Sequence, residues 1–193
     1  VLSFDVLKMR LWEKKIWKDA SHIITVSDED KNSIVSNVPI SVVPNGVDIS
    51  EFSFVKRTLD KKNIRCLFVG DFRWFPNVDA AQWLLTDIWP MIKKNARFTI
   101  VGRSIPDKIK NLAIAQQVET KESVPNIVEE YQNATVLLAP MRIGGGTKYK
   151  VLEAMATGLP VIGTPVSFQG LSVEPNVHGL IAKKPDEFVR ALD

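Results

Sequence analysis

The 193 residues contain one cysteine, Cys66, and two histidines. A single thiol excludes an internal disulfide framework and fits a reducing cytoplasm. Cys66 lies inside the apolar run 64–69 and reads as a core side chain. His22 has no second His, Asp or Cys near it at metal-ligand spacing, so no metal site is expected there. No apolar run approaches the roughly 20 residues that span a bilayer. The pattern of a secretory leader is missing too, and the chain opens on Val-Leu-Ser-Phe without a Met, as a fragment would. A net charge of +3 is too small to argue for nucleic acid. Neither Gly-x-Gly-x-x-Gly nor a Walker A loop occurs, which argues against a dinucleotide-dependent dehydrogenase. No internal repeat or low-complexity tract is visible.

Apolar residues make up 45% and charged residues 24%, enough for one ordinary α/β domain with a buried core. The informative stretch runs from Arg142 to Pro165, RIGGGTKYKVLEAMATGLPVIGTP. Strand formers at 135–139 lead into Gly144, Gly145 and Gly146. A helix pattern follows from Thr147 to Thr157, stopped by Gly158 and Pro160, and Val161-Ile162 reads as the next strand. This is a βαβ unit of a parallel sheet. The helix start directs free N–H groups and dipole charge into the loop, and glycine lets a ligand approach the backbone. Lys148 and Lys150 place cations where the dipole disfavours them, which makes sense if an anion sits there. The loop is a candidate phosphate site.

On this helix, Val151, Leu152 and Met155 form the face for the sheet. Gly146, Tyr149, Lys150, Glu153 and Thr157 cluster on the other. Spacing leaves two readings of Glu153: an acceptor for a sugar or ribose diol, or a solvated carboxylate paired with Lys150 three residues back.

The rest of the chain alternates strand and helix. Residues 3–19 read as a basic helix with Met9, Trp12 and Ile16 at helical spacing. Trp12, Ile16 and Trp17 are too apolar to stand free, so it packs on a domain or neighbour, or lies on an anionic membrane. His22–Val26 is a strand, and Ser27 with Asp30 caps a helix to about Val35. Ile40–Val43 is a strand ending in the turn Pro44-Asn45-Gly46. Residues 51–63 read as a polar connecting loop. Ile64–Val69 is a buried strand whose C-terminal loop, Gly70 to Asn77, is where open α/β sheets bind ligands. Arg73 in that loop suits a diphosphate, or else stacks on Trp74. Further elements are a helix at 78–94, strands at 98–101 and 117–119, helices at 105–115 and 124–132, a loop at 166–179, a strand at 179–182 and a helix from Pro185. A doubly wound, mainly parallel sheet of about six strands is expected.

The run Gly-Gly-Gly-Thr-Lys-x-Lys-x-Leu-Glu-Ala-Met-Ala-x-Gly-x-Pro-Val-Ile resembles the donor-site signature of GT-B glycosyltransferases, in the large retaining group of family 4. ASHIITVSDED and ISVVPNGVD resemble the crossover between the two Rossmann-like domains of those enzymes. The resemblance implies that 1–44 end the N-terminal domain and cross over, and that 45–193 are the C-terminal nucleotide-sugar-binding domain. It implies a sugar transfer that needs no metal or cofactor, with a nucleotide-sugar donor and a glycan, lipid or other acceptor. Gly70, Arg73, Gly144, Gly145, Gly146, Thr147, Lys148, Lys150 and Glu153 would bind the donor, with Arg73 and Lys148 as catalytic candidates. The missing N-terminal domain would be the partner, with peripheral contact at the inner face of a membrane. Two positions depart from the pattern. The earlier Glu of Glu-x7-Glu is Gly145, and the Arg and Lys expected after the first strand fall at Asp71 and Asn77. These losses leave open a non-catalytic relative used as a binding module, or a nucleotide-sugar epimerase.

Overall fold

The computed structural model describes residues 2–58, 60, 62–92 and 96–192. Two compact units meet in sequence at Asn45 and Gly46.

The first unit is α1 (Leu2–Asp19), β1 (Ile23–Thr25), α2 (Asp28–Ser33) and β2 (Ile40–Val42). β1 and β2 pair in parallel with Ile23 opposite Ile40. The Ser27 hydroxyl caps α2 by accepting from the Asp30 N–H at 3.1 Å, as the Ser-x-x-Asp spacing predicts. Along α1, Phe4, Leu7, Leu11, Trp12 and Ile16 are exposed and Trp17 is half-buried.

The second unit starts with β3 (Ile64–Asp71) and α3 (Phe75–Trp83), which runs on through a π turn (Leu84–Ile88) and a 3-10 turn (Trp89–Met91). Then come β4 (Ala96–Arg103), α4 (Asp107–Ala115), β5 (Glu119–Glu122), α5 (Ile127–Asn133), β6 (Val136–Ala139) and α6 (Tyr149–Ala156). β7 (Val161–Gly163), a 3-10 turn (Pro165–Phe168), β8 (Leu180–Ile181) and α7 (Pro185–Leu192) complete it. Six strands form one parallel sheet in the order β5-β4-β3-β6-β7-β8. Both faces are covered. Successive strand residues alternate between two cores: Phe68, Ile100, Leu138 and Ile162 enter one, and Leu67, Val101, Leu137 and Val161 the other. The unbroken apolar runs of these strands reflect that double burial. Cys66 is buried, and burial pushes its thiol up to about 12, as suits a core side chain.

Several boundaries differ from the sequence expectation for local reasons. α3 begins at Phe75 rather than 78, because Pro76 suits the first turn of a helix. Its regular α geometry stops at Trp83. The fifth strand begins at Glu119, after Gln117 takes φ 55° and turns the chain. Residues 51–58 are more than a polar connector. Phe52 is buried edge-on to Tyr131, with ring centres 5.9 Å apart. Arg57 donates to the Thr157 carbonyl and, at 2.8 Å, to that of Tyr131, tying the ends of α5 and α6 together. Thr157, expected on an outward face, is therefore fully buried. One glycine is required by close approach: a Cβ at Gly102 would collide with the Gly70 carbonyl oxygen on the neighbouring strand.

Candidate functional site

The chain runs outward from β3 through β4 to β5, then returns to β6 beside β3 and runs out to β8. The order reverses between β3 and β6. The loops that follow these two strands, 72–74 and 140–148, therefore flank a topological switch point, where ligands of open α/β sheets bind.

The glycine loop is held from inside. The Lys148 ammonium donates to the carbonyl oxygens of Gly146 at 2.6 Å, Gly144 at 3.2 Å and Gly145 at 3.4 Å. A trans peptide points its N–H opposite to its C=O. The N–H groups of Gly145, Gly146 and Thr147 consequently face away from the ammonium. Gly144 (φ 114°) and Gly146 (φ 68°) reach this wrap in the left-handed region. A Cβ on Gly145 would meet nothing within 4 Å, so that side of the loop is open. Helix α6 starts at Tyr149 with Lys148 as its N-cap, two residues later than expected, because residues 144–148 are spent on the wrap. Beside these N–H groups, the buried Thr147 Oγ1 has no hydrogen-bond partner among the described residues. An orphaned hydroxyl is costly unless a ligand completes it.

The cations part company. Lys148 is buried in the loop, as described. Arg73, expected to reach a diphosphate, forks onto Asp71 of its own loop at 2.5 Å and is 65% exposed. That contact, mainly through hydrogen bonds, holds the Asp71 carboxyl down at about 2. Arg142 pairs with Asp79 of α3 at 2.5 Å and lies 5.0 Å over the Trp83 ring. Lys150 crosses from α6 to α3, donating to Asn77 Oδ1 at 2.6 Å. Its ammonium thus reaches the position where the resemblance expects a lysine. Gly70 is buried beneath this pair, and a Cβ there would stand 3.0 Å from Asn77 Cγ.

Glu153 Oε2 accepts from the Tyr131 hydroxyl at 2.5 Å. Lys150, the ion-pair partner in the second of the two readings, makes its hydrogen bond to Asn77, and Glu153 is bonded by Tyr131 rather than solvated. Glu153 is half-buried, and burial raises its carboxyl above the usual range, with the Tyr131 hydrogen bond opposing. It lines a pocket of about 370 Å³ with Val69, Gly70, Val101, Gly102, Val124 and Ile127. This places the Glu153 carboxylate at the edge of a slot beyond the ends of β3 and β4 whose lining also includes Asp71, Arg103 and Ser123. A flat ring fits such a slot, a diol fits the carboxylate, and an anion fits the glycine loop.

Gly70 at the end of β3, and the three glycines, Thr147, Lys148, Lys150 and Glu153 on the following loop and helix of β6, lie around the switch point, and Arg73 lies there but turns to Asp71. Sequence reasoning did not find Tyr131 or Asn77. Tyr131 lies in the predicted 124–132 helix, and no local pattern says that its hydroxyl reaches a helix 22 residues on. Among the described residues, no three His, Cys, Asp or Glu side chains come together as a metal would require.

A family model described as "Glycosyl transferases group 1" matches residues 63–193. An uncharacterized 44.6 kDa protein in the cps region of Klebsiella pneumoniae is 23% identical over 206 residues, covering 98% of this chain and 50% of that protein. HepE of Anabaena, solved with UDP-glucose, superposes with a TM-score of 0.69 at 14% identity, covering 90% of this chain and 53% of that one. TarM of S. aureus, solved with UDP, alpha-GlcNAc-glycerol and Fondaparinux, gives 0.69 at 15% identity, covering 93% and 39%. The chain spans about half the length of the curated relative that it matches. The structural likenesses bear out the expected doubly wound, Rossmann-like sheet.

Proposed function

The chain belongs to the group 1 glycosyl transferases, and from that premise we propose that the full-length protein moves a sugar from a nucleoside diphosphate donor to an acceptor, with retention at the sugar carbon. Residues 46–193 are the donor-binding half of a GT-B architecture, and residues 1–45 close the preceding domain and cross over from it. The preceding domain brings the acceptor, a glycan, lipid or other hydroxyl compound. The exposed apolar and basic residues of α1 suit the cytoplasmic surface of an anionic membrane.

The placement of Glu153 carries this reading: a carboxylate held by the Tyr131 hydroxyl at the rim of the pocket, on the helix that follows the glycine loop. The base lies in the slot against Val101, Val124 and Ile127, and the ribose diol hydrogen-bonds Glu153. The diphosphate takes the outward N–H groups of residues 145–147 and the Thr147 hydroxyl. When the glycosidic bond breaks, charge accumulates on the diphosphate, and preorganised donors in a partly dry site stabilise it. The transfer on this reading uses no metal. UDP-glucose, which HepE binds, is the first donor to try.

A thermal-shift panel of nucleosides, nucleoside diphosphates and nucleotide-sugars on the full-length protein tests the assignment. A ligand at a hundred times its Kd stabilises by about 2.7 kcal/mol. Diphosphates and their sugars should raise Tm while nucleosides give little. A flat response across the panel contradicts the reading.

A further inference from the structure

Of the four cations on the two switch-point loops and α6, two have a carboxylate partner and one has several peptide carbonyl acceptors. Arg73 has Asp71, Arg142 has Asp79, and Lys148 has the loop carbonyls. Lys150 is different. Its ammonium meets the neutral amide oxygen of Asn77 at 2.6 Å, the Met141 sulfur at 3.8 Å and the Phe68 ring, whose centre is 4.4 Å away. Its partner Asn77 packs over Gly70 at the end of β3, and Lys150 itself sits on the helix that opens from the glycine loop.

We propose that Lys150 is the ammonium that meets the donor's diphosphate, and that it takes up one proton from solvent as the donor seats. This rests on the donor-binding reading above. The surroundings solvate a charged ammonium poorly, and desolvation pushes Lys150 down to about 7. Of the charges facing it, Glu153 on the same helix opposes that shift and Lys148 reinforces it. α3 offers the neutral Asn77 and commits Asp79 to Arg142. β3 offers Phe68 and commits Asp71 to Arg73, and the glycine loop offers Met141. An arriving diphosphate supplies the missing negative charge and draws a proton from water onto Nζ. No other bond changes. The sign is fixed: below about pH 7 the lysine is already protonated and binding takes up little, whereas above it uptake approaches one proton. Asn77 Oδ1 accepts from either form and holds the side chain in place.

The test is titration calorimetry of UDP-glucose into the full-length protein, in buffers of contrasting ionisation enthalpy, at about pH 6 and about pH 8. Wild type should take up close to one proton at the higher pH and close to none at the lower. Lys150→Met should abolish the uptake and weaken binding about tenfold or more, the loss of one charged hydrogen bond. Lys150→Arg, charged at both pH values, should bind without uptake, and it keeps the test open if the Met variant folds poorly. Tight wild-type binding with no uptake at the higher pH overturns the lysine's role and leaves the donor reading standing, as does uptake that persists in both variants. No binding by the wild type removes the donor reading and this proposal with it.

Discussion

The loops after β3 and β6 face one switch point and both carry cations, yet they use them in opposite ways. In the β3 loop, Arg73 and Asp71 satisfy each other at the surface. In the β6 loop, the Lys148 ammonium turns inward to three carbonyls, and the peptide N–H groups turn outward as a consequence. One loop cancels its charge locally; the other converts a buried cation into an ordered row of backbone donors. A count of cations near a loop therefore says little about anion binding. What matters is which acceptors the fold has already assigned to them.

The comparison is broken most severely by attacking the strand pair beneath the β3 loop. Gly102→Ala drives a Cβ into the Gly70 carbonyl. Overpacking typically costs about 1–3 kcal/mol, and a backbone clash in a central strand belongs at or beyond the top of that range. Urea denaturation should show a loss of about 3 kcal/mol or more. Next comes Lys148→Met, which removes the cation and leaves the loop carbonyls without it. A hydrogen bond to a charged group contributes about 1.5–3 kcal/mol, and donor affinity should fall together with stability, since the N–H row loses its brace. Gly145→Ala separates the two effects. Its Cβ meets nothing within 4 Å, so stability should shift by under about 0.5 kcal/mol, as an exposed change does. On the proposed reading the methyl group stands where the diphosphate approaches, so donor affinity should fall several-fold by calorimetry. Arg73→Ala should do least. Solvent screens this exposed pair, so stability should hardly move, and donor affinity should change less than about threefold. A large loss there would give the β3 loop the active role that its Asp71 contact denies it.

The sheet was legible because its strands are apolar on both faces and are punctuated by glycine and proline. The glycine loop was legible as a βαβ turn, and its later features follow from glycine's freedom at residues 144 and 146. The partners were not legible. Whether Lys148 faces a ligand or a carbonyl depends on how five residues wrap, and periodicity carries no information about that. Glu153 meets Tyr131 because Arg57 and Phe52 bring α5 against α6, through contacts some 70 to 100 residues apart in sequence. The polar look of residues 51–63 concealed both of those anchors. Charge along the chain marked a candidate anion site; three-dimensional pairing decides which groups are left to hold one.

The most direct test is calorimetry of UDP-glucose and a guanosine diphosphate sugar on the full-length protein, wild type against Glu153→Ala. If Glu153 receives the ribose diol, the variant should lose about 1.5–3 kcal/mol, so the better donor should bind roughly tenfold more weakly or worse. Unchanged affinity in the variant, with the fold intact by circular dichroism, would contradict the account and leave α6 as structure alone.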